Sequence, residues 1–346
     1  MNINEIHNKV VSKDYDFLRT NAHLGNNIIL LGLGGSHAYG TDVADSDLDI
    51  RGCTLNSKAE ILGSDNFEQF INNDTDTIIY AFNKFVQLLT NVNPNIVEIC
   101  GLKNEHYLYV SPIGQELLDN RDMFLSKKVA HSFGGYATAQ LRKLDNKSAR
   151  SLEQAEKEAH ILNSINNAAL DFKGKFFDYP DDAIKLYIDD AVNEEYDKEI
   201  FMDVNLTHYP LRDYKSMWSI MHNVVKDYAK LEQTGRNKEA IRGDKLAKHM
   251  MHLIRLYLMC LDILERGEIV TYRPEHEFLM GIRNGDYLDS DKQPIPEFFE
   301  LVNHYEKKLE YAKANTSLPD KPDYDKINEF VMSVNERVVR GEVQWK

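Results

Sequence analysis

The chain has 346 residues, 42% hydrophobic and 28% charged, with a formal net charge of −14. That composition is ordinary for a globular protein with a sizeable core, and the length predicts two domains better than one. The acidic balance argues against non-specific binding to nucleic acid or anionic membrane, while leaving room for a local basic cleft or for metal ions at a carboxylate-rich site.

Cys53, Cys100 and Cys260 lie far apart and form no CxxC pair. Neither a disulfide framework nor a structural zinc site is indicated, and a reducing cytoplasm is the expected location. The opening stretch MNINEIHNKVVSKDYDF has no apolar signal core, and no apolar run approaches the roughly 20 residues of a bilayer span, so no membrane association is expected.

In chain order, residues 5–19 carry apolar positions at helical spacing. Residues 27–33 (NIILLGL) form an apolar, β-branched run between Gly25-Asn26 and Gly34-Gly35, which reads as a buried strand. Residues 36–40 predict a helical turn and 48–54 a second strand. Residues 67–71 and 76–82 are further strand candidates around the turn Asn72-Asn73-Asp74. A helix is expected over 82–90, closed by Asn93-Pro94-Asn95, and 96–100 read as a strand or the start of another helix. After Ser111-Pro112, residues 113–175 look helical almost throughout, interrupted at Gly134-Gly135. Residues 176–211 are mixed, with a turn or hairpin near Asp203-Val204-Asn205. Residues 212–266 predict two strong amphipathic helices separated by Thr234-Gly235-Arg236. The stretch 274–340 predicts shorter helices broken at Gly285, Pro294, Pro296, Pro319 and Pro322. The organisation is a small α/β module followed by a larger helical one, with the boundary near 110–125.

The chemistry concentrates where the first strand runs into Gly34-Gly35-Ser36. Glycines there let a ligand approach the backbone, free N–H groups at a helix start attract phosphate oxygens, and the Ser36 hydroxyl adds a donor. Asp45-Ser46-Asp47-Leu48-Asp49 follows. On an extended strand Asp47 and Asp49 share a face. Two carboxylates that close repel unless a cation sits between them, and beside phosphate donors such oxygen ligands suit Mg²⁺. A lone DxD or a lone Gly-Gly-Ser is usually a solvated turn; here their order and their placement between two strands agree. Arg51, just past Asp49, is expected to turn away from the aspartates, ordering the loop or pairing with Asp42 or Asp45.

A second signal lies in the helix near residues 243–266. At about 100° per residue, Lys245, Lys248, His249, His252 and Arg255 fall on one side, and Leu246, Met250, Leu253, Ile254, Tyr257 and Leu261 on the other. A cationic stripe is often only a solvated face. In so acidic a chain, five basic or titratable groups without an interposed carboxylate are less expected. Tyr39 and His37 read as packing residues, and no HExxH or Ser-His-Asp arrangement stands out.

The pattern Gly35-Ser36-His37-Ala38-Tyr39-Gly40 with Ser46-Asp47-Leu48-Asp49 resembles the signature of the DNA polymerase beta nucleotidyltransferase superfamily. More narrowly, GSHAYGTDVADSDLDIRG is similar to the predicted nucleotidyltransferases named for an RNA repair pathway. Asp76-Thr77-Ile78-Ile79-Tyr80, Asn93-Pro94-Asn95 with Glu98, Gly134-Gly135-Tyr136, Lys245 with His249 and Arg255, and Ile282-Arg283-Asn284-Gly285 also fit. The resemblance touches roughly residues 30–150 and 240–287.

It implies an α+β chain: a nucleotidyltransferase mixed sheet with flanking helices over 1–115, then a larger, mostly helical domain over 116–346 that completes the cleft. It implies transfer of a nucleoside monophosphate from an NTP, ATP by default, to a hydroxyl acceptor with release of pyrophosphate. The acceptor would be an RNA or tRNA-like end, or a protein. Two Mg²⁺ ions are implied, with Mn²⁺ as a substitute, held by Asp47, Asp49 and a third carboxylate on a neighbouring strand. Asp76 is the choice for that third position, ahead of Asp74 and Glu98. Gly35, Ser36, Arg51, Lys245 and His249 are implied to hold the nucleotide. The rival readings are a nucleotide-binding regulator without catalysis, and an effector or antitoxin-type enzyme acting on a protein hydroxyl.

Overall fold

The opening segment forms α1 (Ile3–Val10), its N-terminus closed by a capping box between Asn2 and Glu5. The helix expected over 5–19 breaks at Ser12, giving a 3-10 turn and the short α2 (Phe17–Thr20). The Arg19 guanidinium donates to the Val11 and Ser12 carbonyls at the break, at 3.2 and 3.0 Å. The structure, a computed structural model, describes residues 1–44, 46–134, 137, 184–190, 198–205, 215, 218–219, 222–223, 243–290 and 292–343.

The run at the end of the first apolar segment becomes β1 (Ile28–Leu33), buried along its whole length. Then come α3 (Gly35–Tyr39), β2 (Ile50–Thr54), α4 (Lys58–Leu62), β3 (Gln69–Asn72), β4 (Thr77–Ala81), α5 (Phe82–Thr90), α6 (Pro94–Val97), β5 (Tyr107–Val110) and α7 (Pro112–Asp119). The five strands make one mixed sheet in the order β3-β4-β2-β1-β5. β1 is antiparallel to β2 and β5, and β2 is parallel to β4, with Ile50 opposite Thr77. A parallel pair needs a crossover connection, and residues 55–76, containing α4 and β3, provide it. Ile29, Leu30, Ile50, Cys53, Ile79, Phe82 and Phe85 are completely buried at the centre of the core.

Farther along, β6 (Ile184–Asp190) and β7 (Lys198–Val204) pair as an antiparallel two-stranded sheet. The remaining helices are α8 (Gly243–Arg266), α9 (His276–Asn284), α10 (Pro296–Asn315) and α11 (Tyr324–Arg340). The chain divides into two compact units, residues 1–141 with 247–346, and residues 142–246. Within the first unit the C-terminal helices pack on the sheet module. Arg337 on α11 makes a two-pronged pair with Glu116 on α7, at 2.8 and 2.7 Å, and Phe330 meets Phe82 edge-on.

The α+β expectation holds: a mixed sheet with flanking helices, then a helical C-terminal region. Several boundaries differ. β2 starts at Ile50, so Asp47 and Asp49 lie in the segment leading into the strand rather than on it. The strand β5 has no counterpart among the expected elements; Tyr107–Val110 extends the sheet beside β1. Asp203 and Val204 belong to β7, where the ladder with Lys185 and Ile184 holds them extended, so the turn expected near them does not form there. The expected helical run over 113–175 is interrupted after α7, and most of its remainder lies outside the described residues, as does most of the first of the two helices expected over 212–266. The C-terminal helices α10 and α11 run 20 and 17 residues, longer than the prolines suggest, because Pro296 sits in the first turn of α10 where no N–H is needed. Among the described residues, no helix is long and apolar enough to cross a membrane.

Candidate active site at the β1 to α3 turn

β1 leaves the sheet at Gly34, whose N–H donates to the Asp49 carbonyl at 2.9 Å, so the turn and the aspartate segment are tied through the backbone. Gly35 takes a left-handed conformation, φ +55°, which glycine adopts without steric cost. A side chain there would also collide with the Asp49 carboxylate, which lies directly against the Gly35 backbone. The glycine pair is thus required by the approach of Asp49 itself. Of α3, only Gly35 and Ser36 reach solvent; His37, Ala38 and Tyr39 are buried.

Burial follows parity in the segment before β2: Leu48 and Ile50 are buried, Asp47 is exposed and Asp49 half-buried. Burial pushes the Asp49 carboxyl up to about 6; the Arg51 guanidinium opposes this, and a hydrogen bond with Asp76, the Asp76 charge and the Glu98 charge reinforce it. Asp49 and Asp76 are therefore within hydrogen-bonding reach of each other. Asp76 sits in a left-handed conformation, φ +45°, at the start of β4, a position aspartate tolerates better than most residues. Its carbonyl accepts from the Ile50 N–H at 3.2 Å.

Arg51 does not turn away. Its Nη2 lies 3.2 Å from Asp49 Oδ1 and 3.3 Å from Asp76 Oδ1, and its Nη1 donates to the Asp76 and Ile50 carbonyls at 2.5 and 3.0 Å. The expectation fails on parity: residues 49 and 51 are two apart, so alternation places them on the same face. The parallel register, with Arg51 opposite Ile78, brings the start of β4 within reach. Asp42 pairs instead with His37, Oδ2 to Nδ1 at 3.4 Å, and Asp45 lies outside the described residues.

On the other side of Asp76 lies a cavity of about 720 Å³, lined among others by Asp14, Asp47, Asp74, Asp76, Asn73 and Lys9. Asp47 and Asp76 share this cavity, while Asp49 and Asp76 share Arg51. Asp74 belongs to the turn at 72–75, where its N–H bonds the Asn72 side chain. Among the described residues, no group of three or more His, Cys, Asp or Glu side chains is gathered closely enough to hold a metal ion. Two carboxylates do suit an ion that arrives with phosphate, since Mg²⁺ is commonly bound through one or two carboxylates plus substrate oxygens. The guanidinium bridging the two carboxylates shows that the pair accommodates a positive charge between its oxygens.

Glu98 occupies a different place. It is buried behind the turn, accepting from the Tyr39 hydroxyl at 2.8 Å and from the Gly35 N–H. Its own backbone carbonyl accepts from Thr271 at 2.5 Å. Burial raises its carboxyl, against the pull of Arg255, the Tyr39 hydroxyl and Arg51. Glu98 thus braces the turn from beneath, and one N–H expected to be free for phosphate is already engaged. The N–H groups of the next α3 residues have no earlier turn of the helix to bond.

The cationic stripe of α8 is assembled around His252. Burial first, then Arg255, Lys248, His249 and Arg283, drive its imidazole well below the usual range, so these charges converge on one place. The Arg255 guanidinium lies 3.5 Å above the Tyr39 ring, and its buried Nε and Nη1 have no hydrogen-bond partner among the described residues. Arg283 of α9 donates to the Thr41 carbonyl at 3.0 Å, just beyond α3. Sequence patterning includes Arg255 in the cationic stripe and Arg283 only as part of the resemblance; the contacts of Arg255 with Tyr39 and of Arg283 with Thr41 are what periodicity does not reveal. Lys245 lies one turn before His249 on α8, and its side chain is outside the described residues.

Residues 9–163 match the family model of the RNA repair pathway DNA polymerase beta family, RlaP. The matched span holds β1, the glycine turn, β2, β4, and the carboxylates Asp47, Asp49, Asp76 and Glu98, and it stops well before α8. Neither a comparison with curated proteins nor one with solved structures gave a match.

Proposed function

We propose, from the premise of a polymerase beta-type nucleotidyltransferase module over residues 9–163, that the protein transfers a nucleoside monophosphate from an NTP to a hydroxyl acceptor and releases pyrophosphate. The observation that carries this reading is the Asp49 carboxylate lying against Gly35 and paired with Asp76. It sets a carboxylate pair directly against the start of α3, the juxtaposition that an ion shared between acids and a phosphate would need. Asp49 and Asp76 would hold one Mg²⁺ or Mn²⁺, and Asp47 with Asp76 would serve the acceptor side from the adjoining cavity. A bound divalent ion supplies charge stabilisation for the leaving pyrophosphate and lowers the pKa of a coordinated hydroxyl.

The remaining roles fall to this chain's own groups. Ser36 and the half-buried start of α3 would bind the β- and γ-phosphates, Gly35 would allow their approach, and Arg51, Lys245 and His249 would neutralise them. Asp76, more than half exposed at the cavity wall, would receive the proton of the attacking hydroxyl. The catalytic domain is assigned to residues 1–115, with 116–346 supplying the basic helix. ATP is the default nucleotide, and an RNA end or a protein hydroxyl the acceptor.

Incubation with α-³²P-labelled NTP, Mg²⁺ and a fractionated cell lysate tests the proposal. Label should appear in a macromolecular fraction whose nuclease or protease sensitivity identifies the acceptor, and Asp47→Asn or Asp49→Asn should abolish it. Full activity in either variant would remove that residue from the metal role. One observation favours a second reading, a regulator that binds nucleotide without catalysis: Arg51 already spans the two acids. NTP affinity without pyrophosphate release would select it.

A further inference from the structure

Arg51 is stretched across its two partners. Its distances of 3.2 and 3.3 Å to Asp49 and Asp76 exceed those of the Arg337 to Glu116 pair, 2.8 and 2.7 Å. Charge-assisted pairs of full strength are short and often two-pronged; here one Nη2 reaches one oxygen on each of two carboxylates. The other prong is anchored on backbone, at the Ile50 and Asp76 carbonyls, and the stem lies across Gly34. The side chain is only 16% exposed. The guanidinium therefore rests between the two acids, against the turn, held firmly at its pivot and loosely at its charge.

We infer that Arg51 is the resident counter-cation of the Asp49–Asp76 pair, competing with a divalent ion for the same oxygens. Off the pair, it turns about its backbone anchor toward the Gly35–Ser36 turn, where its charge serves a phosphate oxygen. This rests on the metal role proposed for Asp49 and Asp76. Two carboxylates within hydrogen-bonding reach repel when both are ionised, and a built-in cation keeps them together. The bridged form lowers the apparent affinity for a free divalent ion by the fraction of molecules in which the bridge is open. An ion arriving with a nucleotide is favoured over the bare ion, because the released guanidinium gains a phosphate partner only then.

The test is a Mn²⁺ titration of the full chain without nucleotide, reading free Mn²⁺ by electron paramagnetic resonance. If the bridge is closed in about nine molecules of ten, Arg51→Gln should bind Mn²⁺ about tenfold more tightly than wild type. Arg51→Lys, which keeps charge but not the fork, should fall between and serves if the glutamine variant does not fold. With Mn²⁺ present, equilibrium dialysis of a non-hydrolysable NTP should show weaker binding to Arg51→Gln. Folded variants whose Mn²⁺ affinity equals or falls below wild type would overturn the competition. Asp49→Asn separates the two layers: unchanged Mn²⁺ binding there sinks the metal reading itself, whereas its loss together with an unchanged Arg51→Gln sinks only the counter-cation.

Discussion

Replacing Asp49 by asparagine should abolish nucleotidyl transfer and yet stabilise the metal-free fold above neutral pH. Burial and the neighbouring carboxylates push the Asp49 carboxyl from 3.8 to about 6 even with Arg51 alongside. The folded chain then holds this proton more tightly than the unfolded chain, so stability is lost as pH rises from about 4 to about 6. Once ionised, the group costs the fold about 3 kcal/mol. Asparagine is uncharged at every pH, and its amide can donate to Asp76 as the protonated acid does. Urea unfolding of both proteins in chelator, at steps from pH 4.5 to pH 8, measures the difference. The advantage of Asp49→Asn should grow through this window and level off above pH 7 at up to about 3 kcal/mol. Added Mn²⁺ should recover stability in the wild type and leave the variant unmoved. Parallel pH curves for the two proteins would refute the placement of Asp49 in a charge-starved pocket against Asp76.

Gly35→Ala should cost roughly 1–3 kcal/mol, since it forces a left-handed alanine and drives a methyl into the Asp49 carboxylate; thermal melts and the Mn²⁺ titration should both register it. The double substitution Lys245→Ala and His249→Ala should raise KM for NTP about tenfold with a smaller change in kcat, the pattern of lost ground-state binding. An unchanged KM would return α8 to a structural role. Arg273, whose side chain is fully buried, donates to Asp262 at 2.5 Å and to Glu275 at 2.8 Å. Arg273→Met leaves those carboxylates short of a partner and should destabilise the protein by about 3–5 kcal/mol without altering the pH dependence assigned to Asp49. A loss under 1 kcal/mol in urea would contradict it.

The segment from β1 through the glycine turn to β2 is legible in the sequence because three local signals coincide there: an apolar run, paired glycines, and acids spaced by two. The same locality explains the failures. β5 is a four-residue strand whose existence depends on pairing with β1, a partner roughly eighty residues earlier in the chain. Glu98 stands among the metal candidates because its type fits. Only the three-dimensional arrangement shows it facing inward to Tyr39 and Gly35, since a 3-10 turn carries too short a pattern to fix which side is buried. Arg283 reaches Thr41 across 242 positions, a distance no periodicity spans. Arg51 is the exception: the information that places it beside Asp49 is local, and the expectation that it turns away miscounts a face.

The first compact unit is discontinuous along the chain: it includes residues 1–141 and resumes at 247. During synthesis the sheet is complete once β5 has emerged, but the partners of Phe82 and Glu116, namely Phe330 and Arg337 on α11, arrive only after some two hundred further residues. Until then Phe82 and Glu116 of the nascent module lack these two partners. The entropy of closing so long a loop grows only slowly with length, adding about 0.6 kcal/mol per doubling, so the intervening chain is tolerable at equilibrium. The burden is kinetic: early release or truncation before α11 would leave a sheet with a bare flank, the circumstance in which a folding chain is most open to aggregation and proteolysis.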